Sequence, residues 1–263
     1  IENNIRYAGS ILLEAVNKDL EEYTIKEGTR FIGDKAFKNC HNLKTIVLPS
    51  SVAVIGDEAF KDCDALVSID MPSNISEKGA EAFKGCTKLP VENNIRYAGC
   101  YLVEAVNKEM ESYTIKEGTR IIGTEAFKDC RNLKTIKIPN SVTEISDAAF
   151  DGCISLTSVE IPDSVNEIGM HAFYGCIKLE HVKLPNSLTY IARSLFSGCT
   201  GLKSIVIPPS VSEIIDYAFS ECTNLTNVEI ENSKTKIYKY AFEGCTGLSA
   251  EKHIHTASSK PVV

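Results

Sequence analysis

Nine copies of the motif Phe-x-x-Cys-x-x-Leu recur along this chain of 263 residues, and they constrain the fold more than any other feature. The Phe residues occupy positions 37, 60, 83, 127, 150, 173, 196, 219 and 242. Successive copies are 23 residues apart, except for one gap of 44 residues between Cys86 and Cys130. A unit this short cannot bury its own apolar face, so neighbouring units must stack side by side. The repeat therefore predicts a solenoid with columns of equivalent side chains.

The unit that begins at Cys130 shows the local structure expected of each coil. Ile136 and Ile138 alternate with polar residues as in a β-strand, and Pro139 ends the strand because it cannot donate a ladder hydrogen bond. A second, shorter apolar pair follows at Val142 and Ile145. The next segment, Ala-Phe, is predicted to form one tight helical turn.

The residue before each repeat Cys predicts a left-handed turn. It is Gly, Asn or Asp in eight of the nine copies, and these residue types tolerate a positive φ. Glu221 is the exception, and we expect strain or a changed turn there.

A longer duplication divides the chain. Residues 1–50 and 91–140 are identical at 35 of 50 positions, and the segment before each strand reads as one or two hairpins. We expect one continuous domain, 1–263, built from five segments. They are an N-terminal hairpin cap (1–22), first coils (23–90), a duplicated hairpin insertion (91–112), regular coils (113–248) and a polar tail (249–263).

The cysteines are interpreted as packing residues. The nine that share one repeat phase are predicted to be buried, reduced thiols, because free Cys behaves as a small apolar residue. Disulfides are not excluded by distance, but side chains stacked in register suit their geometry badly. Cys100 lies outside the phase and is expected to be a more accessible thiol.

Composition argues against several classes of function. The net charge of −7 disfavours a nucleic-acid partner, and no apolar run is long enough for membrane insertion in this segment. The chain has no CxxC zinc motif, no Gly-rich phosphate loop and no evident nucleophile–His–carboxylate set. We therefore expect no catalytic residues, no cofactor and no metal, and the chain is predicted not to be an enzyme.

The outward positions of the predicted strands are the first candidate partner-binding face. Their residue types vary while the apolar framework stays fixed, as in a recognition surface or in any solvated sheet face. The residues are Lys44, Val47, Asp70, Lys137, Glu160, His181, Lys183, Val206 and Glu229.

A second candidate patch is a group of tyrosines near the C-terminal coils, at Tyr190, Tyr217, Tyr238 and Tyr240. Tyr217 and Tyr240 share one phase on neighbouring coils, so they form either a partner patch or a stabilising stacked pair.

The consensus CxxLxxIxIPxSVxxIxxxAFxxC, over nearly all of residues 23–248, resembles the BspA-like, Treponema pallidum-type class of leucine-rich repeats. The resemblance implies a leucine-rich-repeat solenoid (right-handed superhelix), β-rich with short helical turns and 23-residue repeats. It also implies an extracellular or cell-surface protein used in adhesion or host-protein recognition. A protein ligand is the expected partner. The alternatives are a structural spacer in a larger surface protein, and glycan binding.

Overall fold

The computed structural model describes residues 1–72, 75, 77–248 and 254–256, with only the backbone described at residues 77, 78 and 254–256. Two compact units divide the chain: unit 1 comprises Ile1–Val103, and unit 2 begins at Glu104. Within the described residues the elements are short strands joined by turns, without a helix. The strands are β1 (Ile5–Ala8), β2 (Ile11–Ala15), β3 (Glu22–Tyr23), β4 (Phe31–Ile32), β5 (Thr45–Val47), β6 (Val54–Ile55), β7 (Ser68–Asp70), β8 (Glu77–Lys78), β9 (Val91–Glu92), β10 (Ile95–Ala98), β11 (Tyr101–Ala105), β12 (Ser112–Thr114), β13 (Ile121–Ile122), β14 (Thr135–Lys137), β15 (Glu144–Ile145), β16 (Ser158–Glu160), β17 (Glu167–Ile168), β18 (His181–Lys183), β19 (Tyr190–Ile191), β20 (Ser204–Ile207), β21 (Glu213–Ile214), β22 (Asn227–Ile230), β23 (Lys236–Ile237) and β24 (Ile254–Thr256).

Unit 1 contains two columns of parallel strands. The longer strands stack in the order β3-β5-β7, and the shorter ones follow the N-terminal hairpin in the order β1-β2-β4-β6-β8. Ile46 lies beside Ile69 in one column, and Ile32 lies beside Ile55 in the other. Each pair is separated by 23 residues, so coils pack in the register that the repeat predicts.

Unit 2 repeats the same two columns. The longer strands form the groups β12-β14, β16-β18 and β20-β22-β24, while the shorter ones include β13-β15-β17 and β19-β21-β23. Val159 lies beside Val182, and Ile145 lies beside Ile168. The predicted repeat solenoid is thus confirmed in each unit. Residues 249–253 and 257–263 of the predicted tail lie outside the described residues.

The Phe side chains form the predicted columns. In unit 2, Phe173 stacks between Phe150 and Phe196 with ring centroids 5.0 and 5.5 Å away. In unit 1, Phe37 and Phe60 stack at 5.0 Å with an interplanar angle of 5°. All five of these rings are shielded from solvent, and Phe173 itself is 0% exposed. Burial of each ring removes apolar area from water, which is the main stabilising contribution to such a core.

The Ala-Phe segment forms a series of turns, which differs from the predicted helical turn. Lys38 N donates to Lys35 O within the coil, whereas Phe37 N donates to Ala59 O of the next coil at 2.7 Å. Lys35 has a φ of 58°, and residues two before the repeat Phe share this conformation in eight coils. A helix would direct every amide back into its own segment. The left-handed residues instead turn alternate amides toward the neighbouring coil, where carbonyls accept them.

The predicted left-handed residue before each Cys is confirmed. Asn39, Asp62 and Gly85 have φ values of 63°, 60° and 82°. Glu221 has a φ of 59°, so the turn itself is unchanged there and Glu adopts a conformation that usually favours Gly.

Two hairpins occupy the predicted irregular segments. β1 pairs with β2 in antiparallel orientation, and β2 then pairs in parallel with β4 of the first coil. β9 and β10 pair in antiparallel orientation, and the chain turns at Gly99, with a φ of 56°, into β11. Each hairpin therefore replaces a standard coil.

Candidate functional site

The first candidate partner-binding face, which we call the variable face, is formed by the longer strands, whose side chains point alternately into the core and into solvent. Ile46, Val159 and Ile205 point inward and are 2–4% exposed. The residues on either side of them point outward into solvent. All nine residues of the first predicted face are exposed: Lys44, Val47, Asp70, Lys137, Glu160, His181, Lys183, Val206 and Glu229. Whether this face binds a partner stays a prediction.

Parallel pairing brings outward residues of adjacent coils together. In unit 1, Val47 lies beside Asp70. In unit 2, Glu160 lies beside Lys183, and their Oε1 and Nζ atoms are 2.5 Å apart. Hydrogen bonding to Glu160 raises the pKa of Lys183 above its usual value. The two side chains thus stabilise each other's charged forms on the surface.

Lys–Glu pairs also connect coils at the edge of this face. The atoms Lys44 Nζ and Glu21 Oε1 are 2.7 Å apart in unit 1. In unit 2, Lys203 Nζ and Glu180 Oε2 are 3.0 Å apart. Such exposed pairs contribute little stability, about 0–1 kcal/mol each. Lys137, by contrast, makes no ion pair with any residue in the described part of the chain. Its charge is therefore available to a partner.

A cavity with a volume of about 640 Å³ lies on the variable face in unit 2. We call it the unit 2 groove. Three predicted residues, Lys137, Glu160 and Lys183, converge on it. It is lined by Ile136, Lys137, Ile138, Asn140, Glu160, Pro162, Asp163, Ser164 and Lys183. Val47 lines a smaller cavity of about 340 Å³ in unit 1, together with Tyr23 and Ile25.

The groove lies where the column of longer strands is interrupted. β14 belongs to the β12-β14 group and β16 to the β16-β18 group, so their ladders do not continue into each other. Ile136 is half-buried here, whereas Ile46 at the equivalent position in unit 1 is buried. Sequence reasoning missed this groove because both coils carry the same apolar pattern.

One hydroxyl in the groove wall differs from its equivalents. Ser141 Oγ donates to Thr119 O at 2.8 Å, and Ser210 Oγ donates to Leu188 O at 2.6 Å, in each case 22 residues earlier. Ser164 Oγ is buried and has no hydrogen-bond partner among the described residues. Buried polar groups are usually paired. The groove therefore combines an unpaired cation, an unsatisfied hydroxyl and apolar Ile side chains.

The tyrosine patch separates into two parts. Tyr217 and Tyr240 stack at 5.3 Å with an interplanar angle of 8°, and Arg193 Cζ lies 5.7 Å from the centre of the Tyr217 ring. Tyr190 lies in register with Glu213, whose Oε1 accepts a 3.4 Å hydrogen bond from Tyr238 Oη. Ring faces at Tyr217 are occupied by protein groups, which favours the stabilising role over a partner patch.

A double-mutant cycle should measure this stabilising role. Tyr217→Ala, Tyr240→Ala and the double variant are expected to give a coupling free energy of about 0.5–1.5 kcal/mol, because parallel aromatic rings interact beyond their burial. Urea-induced unfolding followed by circular dichroism provides the values. A coupling free energy near zero would instead favour a role of this patch in binding a partner.

Burial keeps the thiols in the middle of the cysteine column protonated. The nine repeat cysteines are free and buried, and Cys100 is half-buried. Burial raises the pKa of Cys153 and Cys176 well above the usual value, and that of Cys199 to about 12. Cys176 Sγ donates to Phe150 O at 3.3 Å, and this pattern recurs with a separation of 26 residues. Protonated, hydrogen-bonded thiols are poor nucleophiles.

Neither metal ligation nor a membrane span is evident in the part of the chain that the structure describes. No three His, Cys, Asp or Glu side chains cluster as metal ligands among these residues. A helix long and apolar enough to cross a membrane is likewise not found within them.

Comparison with known proteins identifies the repeat. The BspA type leucine rich repeat region matches in six copies, over residues 15–99 and 120–249. No curated protein matches this chain.

Solved structures share the fold. A leucine-rich repeat protein from Bacteroides ovatus has 29% sequence identity and a TM-score of 0.53, and the match covers 95% of this chain and 66% of that chain. This chain thus spans slightly less than two thirds of that protein. A leucine-rich repeat protein from Eubacterium ventriosum has 19% identity and a TM-score of 0.53, covering 95% and 89% of the two chains. The pneumococcal vaccine antigen PcpA has 19% identity and a TM-score of 0.52, covering 88% and 70%. The last two likenesses show the fold alone.

Proposed function

Because this chain belongs to the BspA-type leucine-rich-repeat family, we propose that it is a non-catalytic scaffold that binds a polypeptide partner through the unit 2 groove. The groove is the observation that carries the proposal. Three residues singled out from the sequence, Lys137, Glu160 and Lys183, line one cavity of about 640 Å³. Rigid coils present these side chains at fixed spacing, so binding requires little ordering of the scaffold.

The chemistry of the groove favours a polypeptide with an acidic side chain next to an apolar one. Lys137 supplies a cation without an ion-pair partner among the described residues, and Ile136 and Ile138 supply apolar surface. Apolar lining with a few convergent polar groups is typical of binding sites.

The partner is proposed to be extracellular, and the chain to act in adhesion or in recognition of a host or neighbouring-cell protein. This part of the proposal rests on the family and its repeat scaffold. Glycan binding is less well supported, because the stacked rings of Tyr217 and Tyr240 cover each other's faces.

Selection with a phage-displayed library of random linear peptides tests the proposed groove. Immobilised wild-type chain should enrich peptides that combine an acidic and an apolar residue. The variant Lys137→Glu/Lys183→Glu should lose at least about 90% of this enrichment, because truncating or reversing a central charge usually costs more than 1.4 kcal/mol. Its unfolding midpoint should fall only slightly, because the substituted residues are exposed and the Glu160–Lys183 ion pair that is lost contributes about 0–1 kcal/mol.

A matched control keeps the same charge change on another surface. Lys178 and Lys234 are exposed and do not line the groove. Lys178→Glu/Lys234→Glu should therefore retain the enrichment. Equal loss in both double variants would indicate a general charge effect. Absence of enriched peptides on the wild type would favour the spacer role.

A further inference from the structure

The cavity on the variable face of unit 1 has the size of a ligand site and a largely apolar wall. We call it the unit 1 cavity, and its volume is about 340 Å³, within the range of about 300–1,000 Å³ that is usual for ligand pockets. Val47 is 63% exposed, although its neighbour Ile46 in β5 is 3% exposed. The apolar residues of the wall are Tyr23, Ile25, Ile46, Val47 and Pro49. At Val47 the cavity therefore presents apolar surface to solvent.

Two carboxylates line the same cavity and are not neutralised by the protein. Glu22 and Glu27 are exposed, and neither makes an ion pair within the described ranges of the chain. Lys26, the cation nearest to them in sequence, is occupied elsewhere, because its Nζ lies 3.1 Å from Glu2 Oε2. Lys44 is likewise paired at the edge of the variable face. The unit 1 cavity therefore carries uncompensated negative charge.

The duplicated copy of this cavity wall differs from it in charge. Of the nine lining residues, seven have an identical counterpart 90 residues later in the sequence. The two exceptions are Glu22, whose counterpart is Ser112, and Val47, whose counterpart is Lys137 of the unit 2 groove. Each difference makes the unit 1 copy more negative by one charge. Nearly the same scaffold thus offers carboxylates in unit 1 and an unpaired cation in unit 2.

The strand edge beside the cavity is a consequence of the hairpin architecture. β3 is the first strand of the β3-β5-β7 sheet, and β12, which follows the second hairpin in mid-chain, is likewise an outer strand of its sheet. Each hairpin extends the column of shorter strands, through β2 and β4 in one copy and β11 and β13 in the other. The longer strand that follows therefore gains no partner from the hairpin in either copy.

We propose that the unit 1 cavity binds a polypeptide segment in which a Lys or Arg side chain lies next to an apolar one. The cation pairs with Glu22 and Glu27, and the apolar side chain packs against Val47. Charge complementarity selects this ligand, since an acidic segment would be repelled by the same two carboxylates. The site lies outside the unit 2 groove and takes a ligand of opposite charge, so it stands or falls independently of the proposed function.

Fluorescence anisotropy with a fluorescein-labelled octapeptide of alternating Arg and Val tests this site. Titration with the full chain, up to submillimolar concentration, should give saturable binding. Glu22→Lys/Glu27→Lys should weaken the binding at least about tenfold, because two cations then face a cationic probe. Val47→Ser should weaken it at least about threefold, because apolar contact surface is lost.

Matched controls make the same changes on other surfaces. Glu231 and Glu243 are exposed and line neither cavity, so Glu231→Lys/Glu243→Lys should bind the probe as the wild type does. Val206 occupies the strand position of Val47 in a later coil and is 48% exposed, and Val206→Ser should also bind normally. Circular dichroism checks that each variant is folded. A wild type that does not bind the basic probe would overturn the proposal, and so would equal weakening in the two charge-reversal variants.

Discussion

Replacing Phe173 by Ala is expected to lower the free energy of unfolding by about 3–5 kcal/mol. The ring is 0% exposed and stacks on Phe150 and Phe196. Its removal loses the transfer free energy of the ring and leaves a cavity that the flanking coils cannot close without breaking their register. Urea-induced unfolding followed by circular dichroism measures the effect, as the midpoint and slope of the transition that includes unit 2.

Tyr174 provides a neighbouring control. It is 45% exposed and contacts His171 in an edge-to-face arrangement. Tyr174→Ala should cost less than about 1 kcal/mol, because nearly half of its surface is already in water. If both variants lose the same amount of stability, the Phe column does not stabilise the coils as inferred.

The second large effect is a loss of stability at alkaline pH. Burial raises the pKa of Cys153 and Cys176, and raises that of Cys199 to about 12. Below the unfolded pKa, about 8.5, both states hold the thiol protons and these groups contribute no pH dependence. As pH rises from there toward the folded pKa, the unfolded chain releases protons that the folded chain retains, so stability falls. In this range each fully buried thiol lowers the free energy of unfolding by about 1.4 kcal/mol per pH unit, and the three thiols together lower it by about 4 kcal/mol per pH unit.

Urea unfolding at a series of pH values between about 8 and 10 checks this dependence. Cys199→Ala should lose stability less steeply than the wild type by about 1.4 kcal/mol per pH unit, because one buried thiol is gone. Leu202→Ala, which shortens a buried side chain but removes no thiol, should keep the wild-type slope. A wild-type stability that stays flat across this range would mean that water reaches the thiols.

The columns were predictable from the sequence because one period places Phe, Cys and Leu in equivalent positions. The left-handed residue before Cys was predictable too, since Gly, Asn and Asp have known backbone preferences. The second left-handed position, two residues before the repeat Phe, was not predictable. It is occupied by Lys35, Glu58 and Ala148, among others, and none of these types favours a positive φ. There the hydrogen bonds to the next coil decide the conformation, and side-chain type does not.

The candidate site was predictable in its residues but not in its shape. Outward strand positions follow from alternation, so Lys137, Glu160 and Lys183 could be named in advance. The groove between them lies beside an interruption of the strand ladder, and coils with a shared apolar pattern do not reveal where such an interruption falls. Arg6 and Arg96 likewise have identical flanking sequences, yet Arg6 is exposed and Arg96 is buried, because different residues surround them in the structure.

The fixed step of 23 residues between stacked partners also has a genetic consequence. Removing or copying one whole coil brings the same side chains together at the new junction, so the array can lengthen or shorten without any compensating substitution. A single inserted codon would displace every later column by one position. Alleles that survive selection should therefore differ in length by complete coils. Recombination between repeats should then change the number of coils without disrupting the fold.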